Sequence, residues 1–133
     1  MATLDDPKVR ALLEPANYAT LSTKNPDGSI HSTVVWCSLE DGVLAVNGAQ
    51  GRHWCNNIEA DPHVTVLVFA DGNPYEYVEV RGTTQATRDD ADDHIDRLAK
   101  LYINQDKYPY RTDSEVRVKF PITTGRVRYL KQG

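Results

Sequence analysis

The chain has 133 residues, a formal net charge of −4 and 40% hydrophobic residues, enough for one core and one domain over 1–133 but not for two. An acidic balance argues against nucleic acid as a partner, so any anionic ligand must be held by local groups in a compact pocket. No apolar run approaches the roughly 18 residues that span a bilayer, which argues against stable membrane association; Cys37 and Cys55, without a C-x-x-C pair or a secretory segment, imply a reduced, cytoplasmic protein with both thiols as packing residues.

Asp5-Asp6-Pro7 followed by Val9, Leu12 and Leu13 predicts a short capped helix ending before Pro15. Tyr18 to Thr23 and Ile30 to Leu39 are β-branched and aromatic, and Asn25-Pro26-Asp27-Gly28 between them makes a hairpin turn. Glu40-Asp41-Gly42 leads into a third strand, Val43 to Asn47, so three consecutive antiparallel strands are expected. A glycine-bearing turn then opens a short helix, Arg52 to Ala60, closed by Asp61-Pro62. The near-continuous apolar run Val64 to Phe69 suits a strand buried on both faces. Asp71-Gly72-Asn73-Pro74 turns it into a long strand, Tyr75 to about Thr87, whose residues alternate between an apolar and a polar, aromatic face. Asp89-Asp90 opens the one long helix, with Ala91, Ile95, Leu98, Ala99 and Tyr102 as its apolar stripe. After the loop Lys107 to Arg111, Val116 to Ile122 and Arg126 to Leu130 read as two last strands separated by Thr124-Gly125. The class is mainly β (α+β), a split antiparallel barrel of six or seven strands with one long and two short helices. Its strands offer more surface than one small barrel interior covers, so a symmetric dimer is expected.

The stretch Val43 to Ile58 carries the clearest chemistry, because strand, glycine turn and helix start together make an anion site. Amides in a first helical turn lack intrahelical acceptors and the helix dipole adds positive character, while Arg52 contributes a permanently charged fork. The same residues also serve as an ordinary turn with a solvated arginine, and both readings stay open on the residues alone. His31, His53, His63 and His94 lack metal-ligand spacing, so no metal is expected. No nucleophile elbow, dinucleotide fingerprint or P-loop is present. That absence suits an enzyme whose cofactor supplies the reactive atom.

Several motifs, in order along nearly the whole chain, resemble the split β-barrel family of pyridoxamine 5′-phosphate oxidases, in particular its deazaflavin (F420) dependent reductases of actinobacteria. They are Ala19-Thr20-Leu21-Ser22-Thr23, Asn25-Pro26-Asp27-Gly28-Ser29, Thr33-Val34-Val35-Trp36, Asn47-Gly48-Ala49-Gln50-Gly51-Arg52 with Asn57, and Asn73 to Gly82. His94-Ile95-Asp96-Arg97-Leu98-Ala99 and Asp106-Lys107-Tyr108-Pro109 complete the set. The resemblance implies a homodimer with cofactor sites at the subunit interface. Ser32, Thr33, Val34 and Trp36 would border the ring; Asn47, Gly51, Arg52, His53, Trp54 and Asn57 would border the phosphate tail; Tyr75 and Tyr77 would reach the partner's site. It departs from the family at Trp54, where many F420-using relatives carry lysine, leaving His53, Lys24 and Arg111 as cations to make up the charge.

The implied activity is hydride transfer from reduced F420 to an activated C=C of a planar enone, quinone or unsaturated lactone, with Tyr77 as the candidate proton donor. FMN is the alternative cofactor, and a non-catalytic flavin or tetrapyrrole carrier is the alternative function.

Overall fold

The computed structural model describes residues 2–132. Its elements are α1 (Pro7–Leu13), β1 (Ala19–Lys24), β2 (Ile30–Val35), β3 (Cys37–Glu40), β4 (Val43–Ala49), α2 (His53–Ala60), β5 (His63–Ala70), β6 (Asn73–Thr84), α3 (Ala91–Ile103) and β7 (Arg117–Lys131). All strands pair antiparallel, in the order β2-β1-β5-β6-β7-β4-β3. The two edge strands, β2 and β3, are separated in the chain by Trp36 alone. In a flat sheet six strand spacings would set the edges about 29 Å apart, whereas one intervening residue spans about 7 Å. The sheet must therefore curl until its edges meet at Trp36, and it forms a split barrel.

The core fills that curl. Leu21, Val64, Val66, Val68, Val78 and Val80 point inward from one wall and Leu44, Val46, Val118 and Phe120 from the other, with Val9, Leu12 and Leu13 of α1 closing one end. Pro7 opens α1, where its missing N–H costs nothing. Ala91, His94, Ile95, Leu98 and Ala99 bury one stripe of α3, while Arg97 on its outer side bonds Glu40 and Asp90.

Three expectations about the strands need correction. The single strand expected over Ile30 to Leu39 is broken at Trp36, so β1/β2 and β3/β4 are hairpins on opposite edges of the sheet rather than neighbours in a row. The break has a visible cause: the Trp36 ring stacks on Tyr102 (5.2 Å, 11°), and the Tyr102 hydroxyl accepts the Cys37 N–H at 3.1 Å while donating to the Asn17 carbonyl at 2.6 Å.

The two strands expected after Arg111 are one, β7, whose first half pairs with β4 and second half with β6. Gly125 is an extra residue there, since Arg81 faces Arg126 while Gly82 faces Thr124, and a bulge of this kind bends a strand without ending it. Finally, β5 is buried on one face only: Val64, Val66 and Val68 are in the core, but Leu67 and Phe69 are exposed on the outside. The outer face they share with Ile30 and Val34 of β2 and Tyr75 of β6 is uncovered, and Tyr75 is 63% exposed.

Candidate functional site

The turn between β4 and α2 leaves backbone donors free at a helix start. Gln50 N–H still belongs to the sheet, donating to Val116 O at 2.9 Å, and Gly51 then takes φ +92°, a left-handed conformation that favours glycine. Arg52 sits at the N-cap of α2, where a side-chain acceptor would normally satisfy the first amides. Its guanidinium can only donate, and no side-chain cap bond is made. The first intrahelical bond comes from Asn56 N–H to Arg52 O, so the amides of His53, Trp54 and Cys55 are the free donors of the first turn.

A hollow of about 250 Å³ opens beside Arg52. Thr33, Val34 and Trp36 line one side and Asn47, Arg52 and Trp54 the other, with Tyr18, Tyr108, Tyr110 and Arg117 around them. The structure thus brings six of the twelve proposed contact residues to one cavity, with Gly51 adjoining it. The other five lie elsewhere. Ser32 is on the outer face, 3.0 Å from Ser22 Oγ to Oγ. Tyr75 and Tyr77 are on the outer face of β6, beyond the hollow of their own chain. Asn57 is buried and donates to Thr23 Oγ1 and Asn25 Oδ1, and His53 Nε2 donates to the same Asn25 oxygen at 2.7 Å. Both residues pin the β1–β2 turn against α2.

Trp54 is 7% exposed and packs against Phe120 at 5.2 Å between centroids. Gly48 makes room for it, since a Cβ there would lie 2.7 Å from the indole and from Cys55 Sγ. Position 54 is a packing position that offers the hollow no charge. Lys24 and Arg111 do not supply one either, because Lys24 approaches Asp61 at 3.7 Å and Arg111 bonds Asp92 and Asp96.

The sequence motifs passed over a second cation that lines the hollow beside Arg52, Arg117 at the start of β7. It is 4% exposed; its Nε and Nη2 donate to Asn47 Oδ1 at 3.0 and 2.8 Å, and Nη1 donates to Glu115. Asn47 is held in turn by α3, its Nδ2 donating to Ala91 O at 2.9 Å and to His94 Nδ1 at 3.1 Å. With Nδ1 accepting, His94 carries its proton on Nε2 and donates it to Ser38 Oγ at 2.8 Å. Burial first, and then Lys119, push the His94 pKa down to about 4. Only its helical register could have signalled His94, four residues before Leu98 and three after Ala91. Burial also raises both thiols, Cys37 and Cys55, to about 11, so they are protonated packing groups at neutral pH.

A wider groove of about 780 Å³, bordered by Ser22, Lys24, Thr65, Arg81 and Arg126, belongs to the uncovered outer side of the sheet rather than to this site. Among the described residues, no helix is long and apolar enough to cross a membrane.

Among solved structures, the chain is similar to an F420 reductase with TM-score 0.79 and 28% identity, covering 90% of this chain and 94% of that one. It is similar in fold to General Stress Protein 26 from Bacillus anthracis (TM-score 0.67, 22% identity, 92% and 91% covered) and to a NimC/NimA family protein from Clostridium acetobutylicum (TM-score 0.70, 14% identity, 96% and 90% covered). No curated protein matches it. Residues 5–131, which hold every strand of the split barrel and the Gly51 turn, match the pyridoxamine 5′-phosphate oxidase family, and the chain belongs to that family.

Proposed function

We propose that the protein is a cytoplasmic oxidoreductase that binds deazaflavin F420, with the phosphate of its tail at the first turn of α2 and its ring along Thr33 to Trp36. The observation that carries this reading is the helix start without a cap, beside a hollow whose lining, among the described residues, contains arginines and no carboxylate. Such a donor set fits a phosphate group, and the likeness to an F420 reductase at 28% identity supports F420 over FMN. When bound, reduced F420 supplies a hydride for an electron-poor C=C of a planar substrate.

The chain's own part is to bind, orient and exclude water. Arg52 and the amides of His53 to Cys55 hold the tail, and Trp36, backed by its stack on Tyr102, gives the ring and substrate a rigid wall. Titration with F420 and FMN side by side tests the assignment. Arg52→Ala should cost about 1.5–3 kcal/mol of F420 affinity, the range for hydrogen bonds to a charged group, read as a roughly ten- to hundred-fold rise in Kd. An unchanged Kd would put the tail elsewhere. Mixing the protein with reduced F420 and a panel of enones separates reductase from carrier: binding without substrate-dependent reoxidation would leave the carrier.

The site belongs to a homodimer in this reading. A 250 Å³ hollow is smaller than the roughly 300–1,000 Å³ of most small-molecule sites, and it borders the uncovered face bearing Val34, Leu67, Phe69 and Tyr75. A second copy on that face would deepen the site and bring its Tyr75 and Tyr77 toward it, with Tyr77 available as proton donor. Phe69→Lys should give a folded monomer by light scattering with weakened F420 binding. A dimer of wild-type affinity would remove this face from the interface.

A further inference from the structure

The charge of the hollow is set by Arg52 at the start of α2 and by Arg117 with Glu115 at the entry to the last strand. Arg52 and Arg117 are the charged residues in its lining, and Arg117 is paired with Glu115. Two cations against one carboxylate leave a single net positive charge. Arg117 is also oriented from behind: Asn47 Oδ1 accepts two of its N–H groups, and the Asn47 amide cannot turn because Ala91 O and His94 Nδ1 hold its nitrogen. Tyr108 covers the guanidinium, whose carbon lies 5.0 Å from the ring centroid. Of the five N–H groups of an arginine, Asn47 and Glu115 engage three, and one remains on each of Nη1 and Nη2.

We propose that Arg117, with Glu115 as its counter-ion, is a specificity-determining residue that takes one anionic oxygen of the ligand and sets the site for a single negative charge, a phosphodiester in preference to a phosphomonoester dianion. A monoester carries close to two charges at neutral pH, one more than the site neutralises, and desolvating an unmatched charge is costly. This inference rests on the reading that the hollow takes a phosphate-bearing tail. It gives the site the cation that Trp54, buried against Phe120, does not provide.

The test is equilibrium titration of the full chain with F420, a phosphodiester, and FMN, a monoester, for wild type, Glu115→Gln, Arg117→Lys and Arg117→Gln, with circular dichroism as the control for folding. Glu115→Gln keeps the shape and a hydrogen-bond acceptor while adding one net positive charge, so the affinity for FMN relative to F420 should rise at least ten-fold. Arg117→Gln should weaken F420 at least ten-fold. Arg117→Lys keeps the charge but loses the paired bonds to Asn47, and should fall between that variant and wild type. A wild-type chain that binds neither compound overturns the cofactor reading and this inference with it. F420 binding that is indifferent to Arg117→Gln, or an FMN-to-F420 ratio unmoved by Glu115→Gln, overturns this inference alone.

Discussion

Between pH 6.5 and pH 4 the protein should lose on the order of 3 kcal/mol of stability through one residue, His94. Its ring is fully buried between α3, β3 and β4. Nδ1 faces the Asn47 amide nitrogen, which only donates, so a second ring proton would point at a donor. Burial, then Lys119 and Arg97, favour the neutral ring, while Glu40 and Asp90 oppose them less; the pKa falls from 6.5 to about 4. The unfolded chain therefore takes up the proton first as pH drops. The stabilisation is complete above pH 6.5 and is lost as pH falls toward 4. Glu40 and Asp90, held below the usual carboxylate range by hydrogen bonds from Arg97, and for Asp90 also from Lys119, add acid sensitivity mainly below that window. Urea midpoints at pH 7, 5.5 and 4.5 measure the slope, and His94→Gln should flatten it while lowering stability at pH 7. A wild-type protein equally stable at all three pH values would show that the ring is not held neutral.

What was legible in the sequence was local. The Asn25-to-Gly28 turn and the α3 stripe announce themselves within a few residues, because turn dihedrals and helical spacing constrain neighbours in the chain. The glycine turn before α2 was legible for the same reason, since a strand end, Gly51 and a helix start follow one another directly. Trp36 reads as one more strand residue, and only Tyr102, far along the chain, makes it a corner. Leu67 and Phe69 read as core because hydrophobicity marks a face for burial without saying what buries it; they lie on the outside of the chain's own barrel. Arg117 reaches Asn47 across 70 positions and His94 reaches it across 47, so the orientation of that arginine was set by pairings that no window of sequence contains.

Gly82→Ala should cost about 2–3 kcal/mol, as overpacking against main chain does. A Cβ at Gly82 would fall far inside contact with the Thr123 carbonyl oxygen and 2.9 Å from Ile122 Cγ2. The first obstacle is backbone and cannot rotate away, so β6 and β7 would have to separate beside the bulge. Gly125, across the same bulge, is the control. A Cβ there meets Arg81 O at 3.3 Å, which a few tenths of an ångström of adjustment relieves, and Gly125→Ala should cost about 1 kcal/mol or less. The consequence extends to the site, because the bulge joins the half of β7 that pairs with β6 to the half that carries Arg117 beside β4. Forcing it open should shift Arg117 against Asn47, so Gly82→Ala protein that is still folded should bind F420 more weakly than Gly125→Ala protein of matched folded fraction. Urea unfolding measures the first effect and F420 titration the second. Equal stability of the two variants would mean that the ladder yields at Gly82 without cost, and the bend in β7 would no longer explain where Arg117 lies.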